Sequence, residues 1–314
     1  MAVRDLLSFR DYFNIIRQLS FRELDGEARD LPSILVVAES RELAALAGEA
    51  LFGHAGAAFV EAHAFDAQLD PLRYDVILTI DRLPTKQRHD WSRLFNRAHE
   101  ELRLIEVLPR VVGDAEAERV ARTRVVDRAE EKRLLALGRH IPLLRAACAH
   151  RVVWDTSMAD GQFALVSNIP EVVPIIGNLI AAGADFLVLT KNQLLMLYKL
   201  AAIFGRDLGN RRRIYSEMLP VVGAGLVWRT VARELVTLMP FGLGTVPKVA
   251  IAFAGTWAVG QAAVVYYESG EKLSREQMRG LYAEALELLR HLPLGKKGEP
   301  GDEEPPPSDR AAAD

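Results

Sequence analysis

Between Val172 and Thr190 the chain runs for 19 residues interrupted only by Asn178 and Asp185, and the polar quartet Thr190-Lys191-Asn192-Gln193 follows at once. That length is close to the roughly 20 residues an α-helix needs to cross a bilayer. An aspartate inside such a run is costly in lipid and is the kind of interruption a buried helix pair carries. The fold must therefore either place this run in a membrane or hide it within a helical bundle. A full crossing from a cytoplasmic N-terminal half would put the basic stretch 191–213 on the far side, against the positive-inside tendency. Pro170, Pro174, Gly177 and the small residues at 181–184 offer break points. A shallow re-entrant or protein-buried hairpin is thus expected, with Thr190 to Gln193 at the boundary of a broken helix pair.

Two further segments share this character. Val249 to Tyr267 holds 19 residues without a charge between Lys248 and Glu268, and it ends in two tyrosines. It is the best transmembrane candidate, since tyrosine suits an interface and Ala252, Thr256 and Gly260 would let another helix approach closely; the alternative is the central helix of a soluble bundle. Leu219 to Met239 contains Arg229, Arg233 and Glu234. Such charges must face protein, water or headgroups, and Arg229 and Arg233, four residues apart, share a helix face. Asp185 is the expected partner of one of them. The candidate polar cluster is therefore Asp185, Lys191, Asn192, Gln193, Arg229, Arg233 and Glu234.

The first half reads differently. Four short apolar segments, Ile34 to Ala38, Ala57 to Phe65, Tyr74 to Ile80 and Leu104 to Leu108, alternate with helix-like stretches at Glu42 to Phe52 and Lys86 to Glu101. This alternation predicts an α/β domain with a small parallel sheet. Residues 114–150 are charged and helical, with Gly138 and Pro142 marking a bend or restart. The predicted organisation is an amphipathic helix in 1–30, an α/β domain at 31–113, a helical connector at 114–150, an all-α hydrophobic helical domain at 151–292, and a disordered, acidic, proline-rich tail at 293–314. Within the helical domain, Ser274 is the candidate N-cap of a final helix to His291, with Glu276 and Gln277 in its first turn.

A P-loop would lie after the first strand. It needs glycines to wrap phosphates, a lysine and a magnesium-binding hydroxyl, yet Ala38, Leu43, Ala44 and Ala45 stand at the corresponding places. Nucleotide hydrolysis is not expected, and Asp81 reads as a strand-end or helix-capping residue. The seven histidines form no H-E-x-x-H pattern, and neither a nucleophile elbow nor a dinucleotide fingerprint is present. No catalytic, cofactor-binding or metal-binding residues are therefore assigned, and no cofactor is expected. Lysine and arginine number 39 against 42 acidic residues, so no nucleic-acid partner is implied. The single Cys148 rules out an intramolecular disulfide and suits a reducing compartment. The N-terminus lacks a cleavable signal pattern, which places the first domain and the tail in the cytoplasm.

The segments NIPEVVPIIGN (168–178), DFLVLTKNQLLMLYKLA (185–201), FGRDL (204–208), Glu217 to Gly223, WRTVAREL (228–235) and GTWAVGQAAVVYYESG (255–270) carry a family likeness. Residues 140–270 resemble the domain of unknown function 697, the YcjF-like family. That resemblance implies a membrane-associated partner of GTPases, or a chain that carries a Ras-like GTPase domain of its own, and it supplies no catalytic residues. The expectation is a non-catalytic scaffold at the inner (cytoplasmic) membrane, with a membrane protein, a GTPase or a second copy of the chain as partner. The alternatives are a soluble GTPase or GTPase regulator that uses the helical domain to oligomerise, and a small-solute pore lined by Asp185, Lys191, Asn192, Arg229 and Glu234.

Overall fold

The computed structural model describes residues 21–65, 67–166, 184–208, 246–271 and 273–291. The chain begins there with α1 (Phe21–Arg29) and enters strand β1 (Ile34–Ala38), whose five residues are all buried. Helix α2 (Arg41–Ala57), β2 (Val60–Ala64), β3 (Val76–Ile80), α3 (Thr85–Ala98) and β4 (Leu104–Val107) complete an α/β unit. The sheet is wholly parallel in the order β2-β1-β3-β4, with Ile34 opposite both Val60 and Val76, and Ile77 opposite Leu104. The expected small parallel sheet is present.

A parallel sheet must be covered on both faces, which is why its strands read as continuous apolar runs. Alternation along β1 divides the labour: Leu35 and Val37 pack with Trp91 and Phe95 of α3, while Ile34, Val36 and Ala38 turn toward α2 and the rest of the chain. On that second face the core does not stop at the α/β unit. It passes through α4 (Ala115–Arg128), α5 (Leu134–His140) and α6 (Arg145–Val166) into α7 (Ala184–Ile203) and α8 (Val246–Ser269), where Phe253 and Trp257 belong to the same cluster. The expected boundary at residue 150 falls inside α6, whose single rod joins the connector to the helical module.

Local chemistry sets several ends. Ser40 caps α2, its Oγ accepting from Leu43 N at 3.2 Å. Gly53, at φ 71°, breaks that helix before its last turn, in a backbone region L side chains rarely adopt. Pro142 opens a short 3₁₀ turn between α5 and α6, so the restart read from Gly138 and Pro142 occurs there. The last helix, α9 (Arg275–His291), starts with a capping box: Ser274 Oγ accepts from Gln277 N at 3.2 Å, and Gln277 Oε1 accepts from Ser274 N at 2.8 Å.

Helix α8 packs against α6, α7 and α9. Its approach to α6 is close because Gly260 has no side chain. A Cβ there would stand 2.6 and 2.7 Å from the two methyls of Val153, which is itself fully buried. Gly260→Ala is therefore expected to destabilise the protein by about 1–3 kcal/mol through overpacking. Adding Val153→Ala should recover part of that loss. Urea unfolding of the two variants checks this, and an alanine at 260 with no effect would mean the helices are not in register as described.

Candidate functional site

Three helical stripes meet at the centre of the module. On α6, Val153, Ser157, Asp160 and Ala164 recur at steps of three and four and all are buried; on α8 the same spacing brings Ala252, Thr256 and Gly260 inward. Both stripes carry a polar residue halfway along, and α7 supplies their partners. Asn192 Nδ2 donates to Asp160 Oδ1 at 2.7 Å, and Thr256 Oγ1 donates to Asp160 Oδ2 at 2.6 Å. Gln193 Nε2 donates to Thr256 Oγ1 at 3.0 Å. Ser157 takes no part, since its hydroxyl donates to Val153 O one turn back.

Asp160 is fully buried, and all the donors that reach it are neutral. Burial pushes its pKa up from 3.8 to about 6, and the hydrogen bonds from Thr256 and Asn192 pull the other way. The chain of donors, Gln193 to Thr256 to Asp160 with Asn192 on the second oxygen, suits a carboxylate that holds its charge by dipoles alone. The arrangement pairs no nucleophile with a base. Among the described residues no three His, Cys, Asp or Glu side chains gather as a metal set. What the geometry performs is a polar clasp that fixes three helices against one another.

Of the residues anticipated from sequence, Asn192 and Gln193 lie in this clasp. Lys191, one position away on the helix, is exposed and lines a separate cleft beside α1. Thr190 to Gln193 is not the boundary of a broken helix pair: α7 runs without interruption from Ala184 to Ile203, and the quartet sits inside it. Successive residues on a helix point about 100° apart, so one linear polar patch is distributed to different faces. Asp185 lies in the first turn of α7, whereas Arg229, Arg233 and Glu234, and with them the anticipated pairing to Asp185, fall outside the described residues. Asp160 and Thr256 were missed as polar partners. The signal available was their position, each a hydrogen-bonding side chain on a largely apolar, inward-facing stripe that on α6 also carries Ser157.

Doubly wound sheets bind ligands at their carboxyl edge where the strand order reverses, here between β1 and β3. Ser40, after β1, has its hydroxyl engaged as the cap of α2. Asp81 follows β3 directly at φ 73°, its N–H donating to Val107 O at 2.6 Å and its carboxylate accepting from Arg82 N at 2.8 Å. It is a strand-end residue. Glu39, on the loop after β1, is exposed, as are Arg41 and Arg82 beside these two carboxylates in sequence.

Because the folded pKa of Asp160 is raised, its contribution to stability is fully present below pH 3.8 and lost as pH rises through about 6. Above that, the buried charge costs on the order of 3 kcal/mol from the two-unit shift. Asp160→Asn, which keeps an acceptor for Asn192, should therefore be more stable than the parent at pH 7.5, with the gain vanishing by pH 4. A difference that stays constant from pH 4 to pH 8 would contradict a buried, titrating Asp160. Thr256→Val should lose about 2–3 kcal/mol at pH 7.5, since a carboxylate oxygen and the Gln193 amide would then face a methyl group; Thr256→Ser should keep most of the stability. Chemical denaturation across pH measures both. No family model, curated protein or solved structure matches the chain.

Proposed function

We propose that this protein is a non-catalytic, membrane-associated docking protein. In this reading a GTPase-like α/β layer without a working phosphate loop meets protein partners, and the helical module meets the inner (cytoplasmic) membrane or a protein within it. The observation that carries the reading is α8. A stretch of its residues Val249–Ser269 reaches a mean hydropathy of 1.5, a level suited to lipid, yet 61% of that stretch is buried within the protein. Thr256 on the same helix is tied to Asp160 and Gln193. A helix so apolar and so committed to neighbours supports a module that approaches the membrane as a bundle rather than through α8 alone. The reading also takes up the expected likeness of residues 140–270 to the YcjF-like family, which would imply either a GTPase as partner or a Ras-like domain on the same chain.

The burial of α8 also favours a second reading, a soluble regulator whose apolar helices form an ordinary core or an oligomer interface. Fractionation of cells producing the full chain separates the two. The membrane reading expects the protein to sediment with membranes at physiological salt, and a high-pH carbonate wash then tells insertion, which resists it, from surface attachment, which does not. Folded protein in the soluble fraction without detergent would overturn the membrane reading in favour of the second. The absence of a working phosphate loop is tested by thermal melting of the full chain with magnesium and GTP or ATP. The melting temperature should stay where it was, whereas a magnesium-dependent rise would establish a functional nucleotide site.

A further inference from the structure

We infer that strand β2 pairs with β2 of a second copy of this chain, antiparallel and centred on Ala62, so that the two sheets become one. β2 is an outer strand of the sheet and packs against β1 and α2. Ile34 N donates to Phe59 O and Phe65 N to Ala38 O, both at 2.9 Å. With Ile34 opposite Val60, these bonds assign the backbone groups of residues 59, 61, 63 and 65 to β1. Backbone direction alternates along a strand, so the N–H and C=O groups of Val60, Ala62 and Ala64 turn away from β1, along the outer edge. Among the described residues, Ala67 N reaches Ala64 O at 3.2 Å and no other backbone group bonds to this row. The strand carries none of the common guards of an open edge: it has no proline, no lysine and no bulge in its register with β1.

The side chains select the occupant. Val60 and Ala62 pack against the core beneath α2, while Glu61 and His63 lie on the other face, where Tyr74 Oη donates to Glu61 Oε2 at 2.5 Å and His63 Nε2 stands 3.7 Å from the same oxygen. In an antiparallel pair about Ala62, Val60 meets Ala64, Ala62 meets its own copy, and each such pair exchanges both N–H···O bonds along the free row. Glu61 of each copy then falls opposite His63 of the other, at the positions where cross-strand side chains come closest. Moving the centre of pairing to residue 61 would instead set the two Glu61 carboxylates against each other. The acid and the imidazole on either side of Ala62 therefore fix the register and favour a second copy over an unrelated strand. Helix α2 lies over both β1 and β2, since a Cβ on Gly48 would stand 3.0 Å from Val60 Cγ1 and 4.0 Å from Val36 Cγ2. Sheets joined at β2 would place the two α2 axes two strand spacings apart, ~10 Å, an ordinary distance between packed helices.

This pairing goes beyond the docking reading and does not depend on membrane contact. Sedimentation velocity of the purified full chain should show a dimer that dissociates on dilution. Ala62→Pro deletes an outward N–H and leaves the bonds to β1 in place, a position at which edge strands tolerate proline. It should weaken the dimer at least about tenfold, which is ~1.4 kcal/mol for two symmetry-related hydrogen bonds, while circular dichroism shows a folded chain. Ala62→Cys supplies a readout that does not rest on destabilisation, and it decides alone if the proline variant fails to fold. The two Cα atoms at position 62 would stand about 5.5 Å apart, within disulfide range, and the native Cys148 is buried. Copper–phenanthroline oxidation should convert this variant, and not the parent, into a covalent dimer on a non-reducing gel. A parent that is monomeric at every concentration, a dimer that Ala62→Pro leaves intact, as assembly through the apolar helices would give, or an Ala62→Cys variant that stays monomeric on oxidation would overturn the inference.

Discussion

Four guanidinium groups on the carboxyl ends of helices hold this molecule together. Helix ends leave carbonyls without intrahelical donors, and a buried end must find them elsewhere. Arg122 of α4 donates to Leu51 O and Ala50 O, both at 2.9 Å, where Gly53 breaks α2. Arg151 of α6 reaches Val126 O and Ala129 O at the end of α4. Arg145, at the start of α6, donates to Gly138 O in α5 at 3.3 Å, and Arg139 of α5 donates to Ala202 O and Arg206 O at the end of α7. Each places positive charge at the negative pole of a helix, and the planar fork of arginine serves two carbonyls where a lysine would serve fewer. Together they link α2, α4 and α6 in series and α5 to α7. Separating α2 from α4 would strand the carbonyls of Ala50 and Leu51.

The interior of the module follows the opposite rule. Asp160 is buried with no cation in its hydrogen-bonding shell, and the polar atoms that satisfy it come from an amide and a hydroxyl. A hydrophobic trio of similar volume would hold the helices at least as firmly, so the clasp is better read as setting which residues face which. Sliding α7 by a turn would keep its leucines in apolar surroundings but would take Asn192 and Gln193 away from Asp160 and Thr256. Close packing at Gly260 and Val153 fixes the α6–α8 register in the same sense.

Much of the α/β layer was legible because its strands are short apolar runs bounded by polar residues. Ile34 to Ala38 was read to the residue, and Val76–Ile80 and Leu104–Val107 lie within the segments read for them. Strand order was not legible, since the pairing of β1 with both β2 and β3 joins residues that no local pattern connects. Ser274 was found as a cap because capping is a property of four consecutive residues. The clasp was half found: Asn192 and Gln193 stand out in a linear polar cluster, whereas Asp160 and Thr256 lie on other helices far from it in sequence, and only the crossing of α6, α7 and α8 makes them one site. The same cluster misled as a boundary, because four polar residues in a row look like an interruption until the helix turns them to different sides.

Helix α7 therefore has two chemically distinct faces on one rigid rod. Asn192 and Gln193 point into the clasp, while Lys191, Leu195 and Lys199 form a wall of the cleft opposite α1. The register chosen by Asp160 and Thr256 is consequently the register in which the lysines are displayed to Glu23 and Glu27. The arginine at 139 holds the far end of the same helix through the carbonyls of Ala202 and Arg206. With one end pinned to α5 and its middle keyed to α6 and α8, α7 has little freedom to rotate, and the buried polar group becomes the element that positions the charged surface.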